Sequence, residues 1–200
     1  MSAPQARSDG RHERSVRTRA AILAAHHRLI VAGESSPTTT RIAAEAGVSP
    51  RTFFAHFPDV EALFAATADD VSAGVLARRR RPVLSLPLAE RVDAYLEARD
   101  DIYGYLTPYS LAVRPREQTS PALLERRSAL AQLSQRDVAD AFAPELLGLP
   151  VDERDDMVAL LETVTTWSAW YHLREELGLG AEAARRITRR ALLQLLDAPR

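Results

Sequence analysis

The sequence predicts an all-α protein, with an N-terminal three-helix unit of helix-turn-helix type followed by a larger helical domain. Three observations carry this expectation. Apolar residues recur at three and four along much of the chain, and no stretch alternates β-branched residues as a strand would. Residues 38–57 read as helix, glycine turn, helix, behind one longer helix. Beyond them, helical stretches alternate with proline or glycine breaks.

The elements follow in order. Residues 1–12 mix Ser, Gly, Pro and Arg without periodicity and are expected to form a flexible basic arm. Val16, Ala20, Leu23, His27 and Ile30 then recur at helical spacing, with Ala24 and Val31 alongside. Gly33 suits the left-handed position that ends a helix, and Ser35, Ser36 and Pro37 make a loop. Thr38 is placed to cap a short helix running to about Ala46, which Gly47 stops. Ser49 caps the next helix, and Pro50 falls in the first turn, where its missing N–H costs nothing. Phe53 and Phe57, four apart, face one side. Pro58 breaks the chain, and Asp59 can cap a long helix to about Arg81. Breaks at residues 82–87, 108, 115, 121, 144–150 and 178–180 then bound helices near 88–107, 121–142, 151–177 and 181–197. The domain reading is an arm at 1–12, a helix-turn-helix domain at 13–60 and a helical domain at 61–200.

Composition narrows the function classes. Hydrophobic residues make up 46%, enough for a real core. The absence of cysteine excludes disulfides, thiolate nucleophiles and cysteine-ligated metals. No apolar run approaches the ~20 residues of a membrane span, and the first nineteen residues lack the apolar segment of a secretory signal, so a soluble cytoplasmic protein is expected. The net charge of −1 hides an asymmetry: residues 1–57 hold eight arginines against four acids, and the remainder is acidic. A basic head on an acidic body suggests a polyanion partner for the head.

Catalytic and metal signatures are missing. No serine sits in a Gly-x-Ser-x-Gly context, and no glycine-rich phosphate loop appears. The pairs Asp100-Asp101 and Asp155-Asp156 are adjacent on helices, so their carboxylates diverge. His26 and His27 diverge for the same reason and cannot chelate together. The run Arg78–Arg81 sits at a helix C-terminus, where arginines interact favourably with the dipole. No enzyme activity, cofactor or metal is expected.

The segment from Thr38 to Leu63, with Ile42-Ala43, Ala46-Gly47-Val48-Ser49, the pair Phe53-Phe54, Phe57-Pro58-Asp59 and Glu61-x-Leu63, resembles the TetR/AcrR family of bacterial regulators. The likeness runs from about Ala21 to Leu63. It implies a recognition helix that enters the major groove of duplex DNA. Val48, Phe53 and Phe57 would hold that helix, and Ser49, Arg51, Thr52, Ala55 and His56 would face the groove. The family usually has Tyr where this chain has Phe54, and Lys where it has Val60, both common phosphate contacts. Their loss should weaken grip more than specificity. Thr38, Thr39, Arg41, Thr52, His56 and the arginines Arg11, Arg14 and Arg17 are the candidates to supply that grip. Arg51 is the leading candidate for base readout, bidentate to guanine, with a phosphate contact or a solvated surface arginine as alternatives.

For the rest of the chain the resemblance implies a bundle that dimerises through its last two helices, near 151–177 and 181–197, and holds a small-molecule effector. Apolar residues on more than one face of both helices fit a second buried surface. Tyr103, Tyr109, Phe142, Trp167 and Tyr171 are candidate ligand contacts, although aromatics are more often core or interface. The expected function is a ligand-responsive repressor acting as a homodimer on a palindromic operator. A DNA-binding architectural protein without an effector and a helical enzyme are the alternatives.

Overall fold

The computed structural model describes residues 5–197, and all regular structure among them is helical. In chain order the helices are α1 (Gln5–Val31), α2 (Thr39–Glu45), α3 (Pro50–His56), α4 (Val60–Arg78), α5 (Leu88–Glu117), α6 (Pro121–Ala141), α7 (Ala143–Leu146), α8 (Val151–Thr165), α9 (Trp167–Tyr171) and α10 (Ala181–Leu196), with a π-helical turn at His172–Glu176. The arm expected over 1–12 is helix from Gln5 onward. Gln5, Ala6, Arg7 and Arg11 there are good helix formers, against the weaker Ser8, Asp9, Gly10 and His12. Among the described residues no helix is long and apolar enough to cross a membrane.

The chain divides into two compact units, Met1–Ala73 with Pro108–Arg126, and Gly74–Thr107 with Arg127–Arg200. The first unit thus extends past the expected boundary at residue 60. It takes in much of α4 and the C-terminal part of α5, contacts too distant in sequence for local patterns to reveal.

The core of the first unit gathers Ile22, Leu23, Ala25 and Leu29 of α1, Ile42 and Ala43 of α2, Phe53 and Phe57 around α3, and Leu63 of α4. The buried face of α1 overlaps the expected stripe only in part: Leu23 and Ile30 are buried as expected. Val16, Ala20, Ala24 and Val31 are exposed, and Ile22, Ala25, His26 and Leu29 are buried instead. Both stripes have helical spacing. The buried face carries the large residues of both, Ile22, Leu23, Leu29 and Ile30, whose side chains remove the most apolar area from water.

The second unit is built on Val92, Tyr95, Leu96, Val138, Phe142, Leu146, Leu161, Leu192 and Leu196. A satellite cluster of Val75, Ile102 and Tyr103 packs against Trp167 and Trp170.

Two expected boundaries are corrected. Pro108 and Pro115 lie inside α5 and do not end it. An interior proline costs about 3 kcal/mol. Around Pro108 that cost is opposed by burial of Ile102 and Tyr103 before it and Tyr109 and Ala112 after it, at roughly 1.5–3 kcal/mol for each large apolar side chain. Conversely, the helix expected over 151–177 breaks at Thr166, whose backbone is extended (φ −61°, ψ 159°). Thr163, Val164, Thr165 and Thr166 form a β-branched run that resists helix. The Thr166 hydroxyl then caps α9 by accepting from the Ala169 N–H at 3.1 Å.

Candidate nucleic-acid interface

The helix-turn-helix is set by three local devices. Thr38 Oγ1 accepts from the Arg41 N–H at 3.2 Å and starts α2. Gly47 takes φ +67°, a conformation that costs a residue with a Cβ more than it costs glycine. Across this turn the Val48 N–H donates to the Ala43 carbonyl at 2.9 Å. Ser49 Oγ accepts from the Thr52 N–H at 3.1 Å and lies 2.9 Å from Thr52 Oγ1, which starts α3. Asp59 Oδ1 accepts from the Ala62 N–H at 2.7 Å and opens α4 as expected.

With Phe53 and Phe57 buried, the opposite side of α3 is presented outward. Ser49, Arg51, Phe54 and Ala55 are exposed, and Thr52 and His56 are half-buried. The Arg51 side chain has no hydrogen-bond or ion-pair partner among the described residues, so its five donors remain available. Phe54 stands edge-on to Phe53, with ring centroids 5.3 Å apart. Thr38 is exposed and Thr39 half-buried at the start of α2.

The arginines differ in availability. Arg41 pairs with Glu45 at 3.1 Å and Glu34 at 3.5 Å, and Arg28 pairs with the same Glu45 at 2.9 Å. Hydrogen bonds from Arg28, then Arg41, hold the Glu45 carboxyl below its ordinary range. Arg41 is thus engaged within the protein, unlike Arg51. Arg14 and Arg17 are exposed on α1 with their Nε atoms turned to the carbonyls of Gly10 (3.0 Å) and Glu13 (3.4 Å). The Arg11 side chain lies outside the described residues.

Two arginines of this unit escape local sequence reasoning. Arg19 places its guanidinium 4.8 Å from the centre of the Phe57 ring. Arg116, from α5, lies over Phe64 at 4.1 Å and bonds Glu61 (2.9 Å) and Ser36 (2.8 Å). No spacing rule links residues so far apart. In the second unit, the run Arg78–Arg81 is largely occupied. Arg78 bonds the Gly74 carbonyl, Arg79 pairs with Asp137, and Arg80 with Glu97.

The five expected ligand contacts do not converge on one cavity. Tyr109 belongs to the first unit, where its hydroxyl lies 3.1 Å from His27 Nδ1. Phe142 is a core residue, fully buried and edge-on to Tyr95 at 5.4 Å. Tyr103 is buried and donates to the Thr165 carbonyl at 2.6 Å. Trp167 donates to Thr107 Oγ1 at 3.0 Å and stacks on Tyr171 at 4.9 Å. Phe142 is thus core, and the polar atoms of Tyr103 and Trp167 bond inside the protein. Beside Tyr103, a cavity of about 20 Å³ lined by Leu96, Arg99, Asp100, Thr165 and Trp170 has room for one water.

Comparison with curated proteins finds no match. Residues 22–67 match the family described as bacterial regulatory proteins, tetR family, a span that runs from α1 through α2 and α3 into α4. It covers the capped turn, the buried Phe53–Phe57 face and the outward Arg51 described above. Over this N-terminal segment the chain is similar to the tetR family of bacterial regulatory proteins, which supports a DNA-binding transcriptional regulator.

Proposed function

We propose that the protein is a cytoplasmic repressor that binds a pseudo-palindromic operator as a homodimer and is released by a small-molecule effector. The observation that carries the DNA part is Arg51, exposed and unpaired in the first turn of a helix whose other face is locked into the core. An arginine so placed can reach guanine O6 and N7 with both ends of its guanidinium.

The dimer part rests on α8 and α10. Their inner faces bury Leu161, Ala184, Leu192 and Leu196, yet Leu160 remains 49% and Ile187 48% exposed. An isologous contact through these residues would cover them in both chains at once. The effector part rests on buried polar groups inside the second unit. Arg99 donates to the Tyr95 hydroxyl at 2.9 Å and pairs with Asp137 at 3.3 Å, an arrangement that costs stability relative to an apolar core. A second reading is a DNA-binding architectural protein without an effector; the cavity beside Tyr103 has room for one water only.

The test is selection of duplexes from a randomised pool, followed by gel-shift titration. Recovery of a two-fold symmetric site bound by two chains supports the reading. Binding that ignores sequence overturns the repressor and leaves the architectural protein. Addition of candidate effectors to the selected complex separates the two readings further.

A further inference from the structure

Phe54 is the large aromatic that α3 leaves in water. It is 51% exposed, whereas Phe53, Phe57 and Phe64 of the same unit are buried. Phe53 meets it at an interplanar angle of 84°, so one side of the ring rests on the core while the other faces outward. The ring has no donor or acceptor, so it cannot bond a phosphate as a tyrosine there could. Its surroundings are sparse. Ala55 beside it offers a methyl group only, and Arg51, three residues earlier, emerges about 60° around the helix and ~4.5 Å along it. Both side chains therefore project from the same exposed side of α3.

The major groove presents donors and acceptors on every base pair but only one strongly apolar group, the C5-methyl of thymine. We propose that Phe54 reads a thymine methyl, within about two base pairs of the guanine that Arg51 reads, given a rise of 3.4 Å per base on each strand. The assignment rests on the reading that α3 enters the major groove. It turns the missing hydroxyl from a lost phosphate contact into a source of specificity. The partner group is a methyl and not a phosphate, so the contact should be insensitive to salt.

The test replaces each thymine of a selected duplex in turn by uracil, which removes the methyl and keeps every hydrogen-bonding group. One position in each half-site should lose about fourfold in affinity, the value of one buried carbon. In Phe54→Ala the thymine-to-uracil ratio at that position should fall to one. In Phe54→Leu, which keeps an apolar side chain, the ratio should stay above one. Retention of the guanine preference shows that either variant still folds and docks α3. Equal affinity of thymine and uracil duplexes for the unaltered protein overturns the proposal, as does a ratio that persists in Phe54→Ala. Equal loss on both duplexes in Phe54→Ala also overturns it and assigns the ring to sugar or to a partner chain. Failure to select any duplex overturns the DNA reading itself, which is a different result from a selected duplex indifferent to uracil.

Discussion

Nδ1 of His26 lies 2.7 Å from Oγ1 of Thr67, a buried hydrogen bond that ties α1 to α4 inside the DNA-binding unit. The Thr67 hydroxyl donates to the Leu63 carbonyl at 2.9 Å, so it accepts from the imidazole N–H. His26 Nε2 is buried with no partner among the described residues. Burial, and then the nearby His27 and Arg116, push the His26 pKa down to about 4.

A pH dependence follows from this histidine. The unfolded chain binds the proton below about pH 6.5 and the folded chain only below about 4. Between these values the unfolded state holds more protons, so stability falls as pH falls. The His26 contribution should reach about 3 kcal/mol between pH 7 and pH 4. Urea unfolding across that range measures it. His26→Leu, which leaves the Thr67 hydroxyl bonded to Leu63, should flatten the dependence. An equally steep slope in the variant would show that other groups cause it.

In the second unit, a Cβ on Gly74 would meet the ring and hydroxyl of Tyr105, with Cζ only 2.6 Å away. The ring cannot yield freely, because the Arg78 guanidinium lies over it at 3.8 Å. Gly74→Ala should therefore destabilise by about 1–2 kcal/mol, the overpacking cost less the gain in helix propensity. In a Tyr105→Ala background the same change should stabilise by up to about 1 kcal/mol. Thermal melts of the four proteins decide it, and a penalty of the same sign in both backgrounds would contradict the contact.

Charge placed on the proposed dimer surface and charge placed in the core should have different effects. Leu192 is fully buried in the core of the second unit, so Leu192→Glu should unfold that unit. Ile187 is exposed on the same helix, so Ile187→Glu should leave the chain folded and monomeric. Circular dichroism and sedimentation together distinguish the outcomes. A folded Ile187→Glu dimer would move the interface away from α10.

The helix-turn-helix was legible because its determinants are local. Thr38, Gly47, Ser49 and Asp59 act within four residues of their own position, and each adopts the geometry its chemistry favours. The phase of α1 was legible only in part: Leu23 and Ile30 are buried as expected, and packing against α2, α3 and α4 residues also buries Ile22, Ala25 and Leu29. Pro108 and Thr166 mislead in opposite directions. Tertiary burial carries a helix through the proline, and a β-branched run breaks one at a threonine. The availability of arginines was equally hidden. Arg41 and Arg51 look alike in sequence, and only the placement of Glu34 and Glu45 separates them.

That separation gives the most direct test of the central claim. Arg51→Ala and Arg41→Ala should be titrated against a selected duplex and against random duplex. Arg51→Ala should cost about 1–3 kcal/mol on the selected duplex alone and relax the preference at one base pair of each half-site. Arg41→Ala, whose side chain is held by Glu34 and Glu45, should change both affinities by much less. Equal losses on selected and random duplex for Arg51→Ala would contradict the account, because they would place Arg51 on phosphate and remove α3 from base readout.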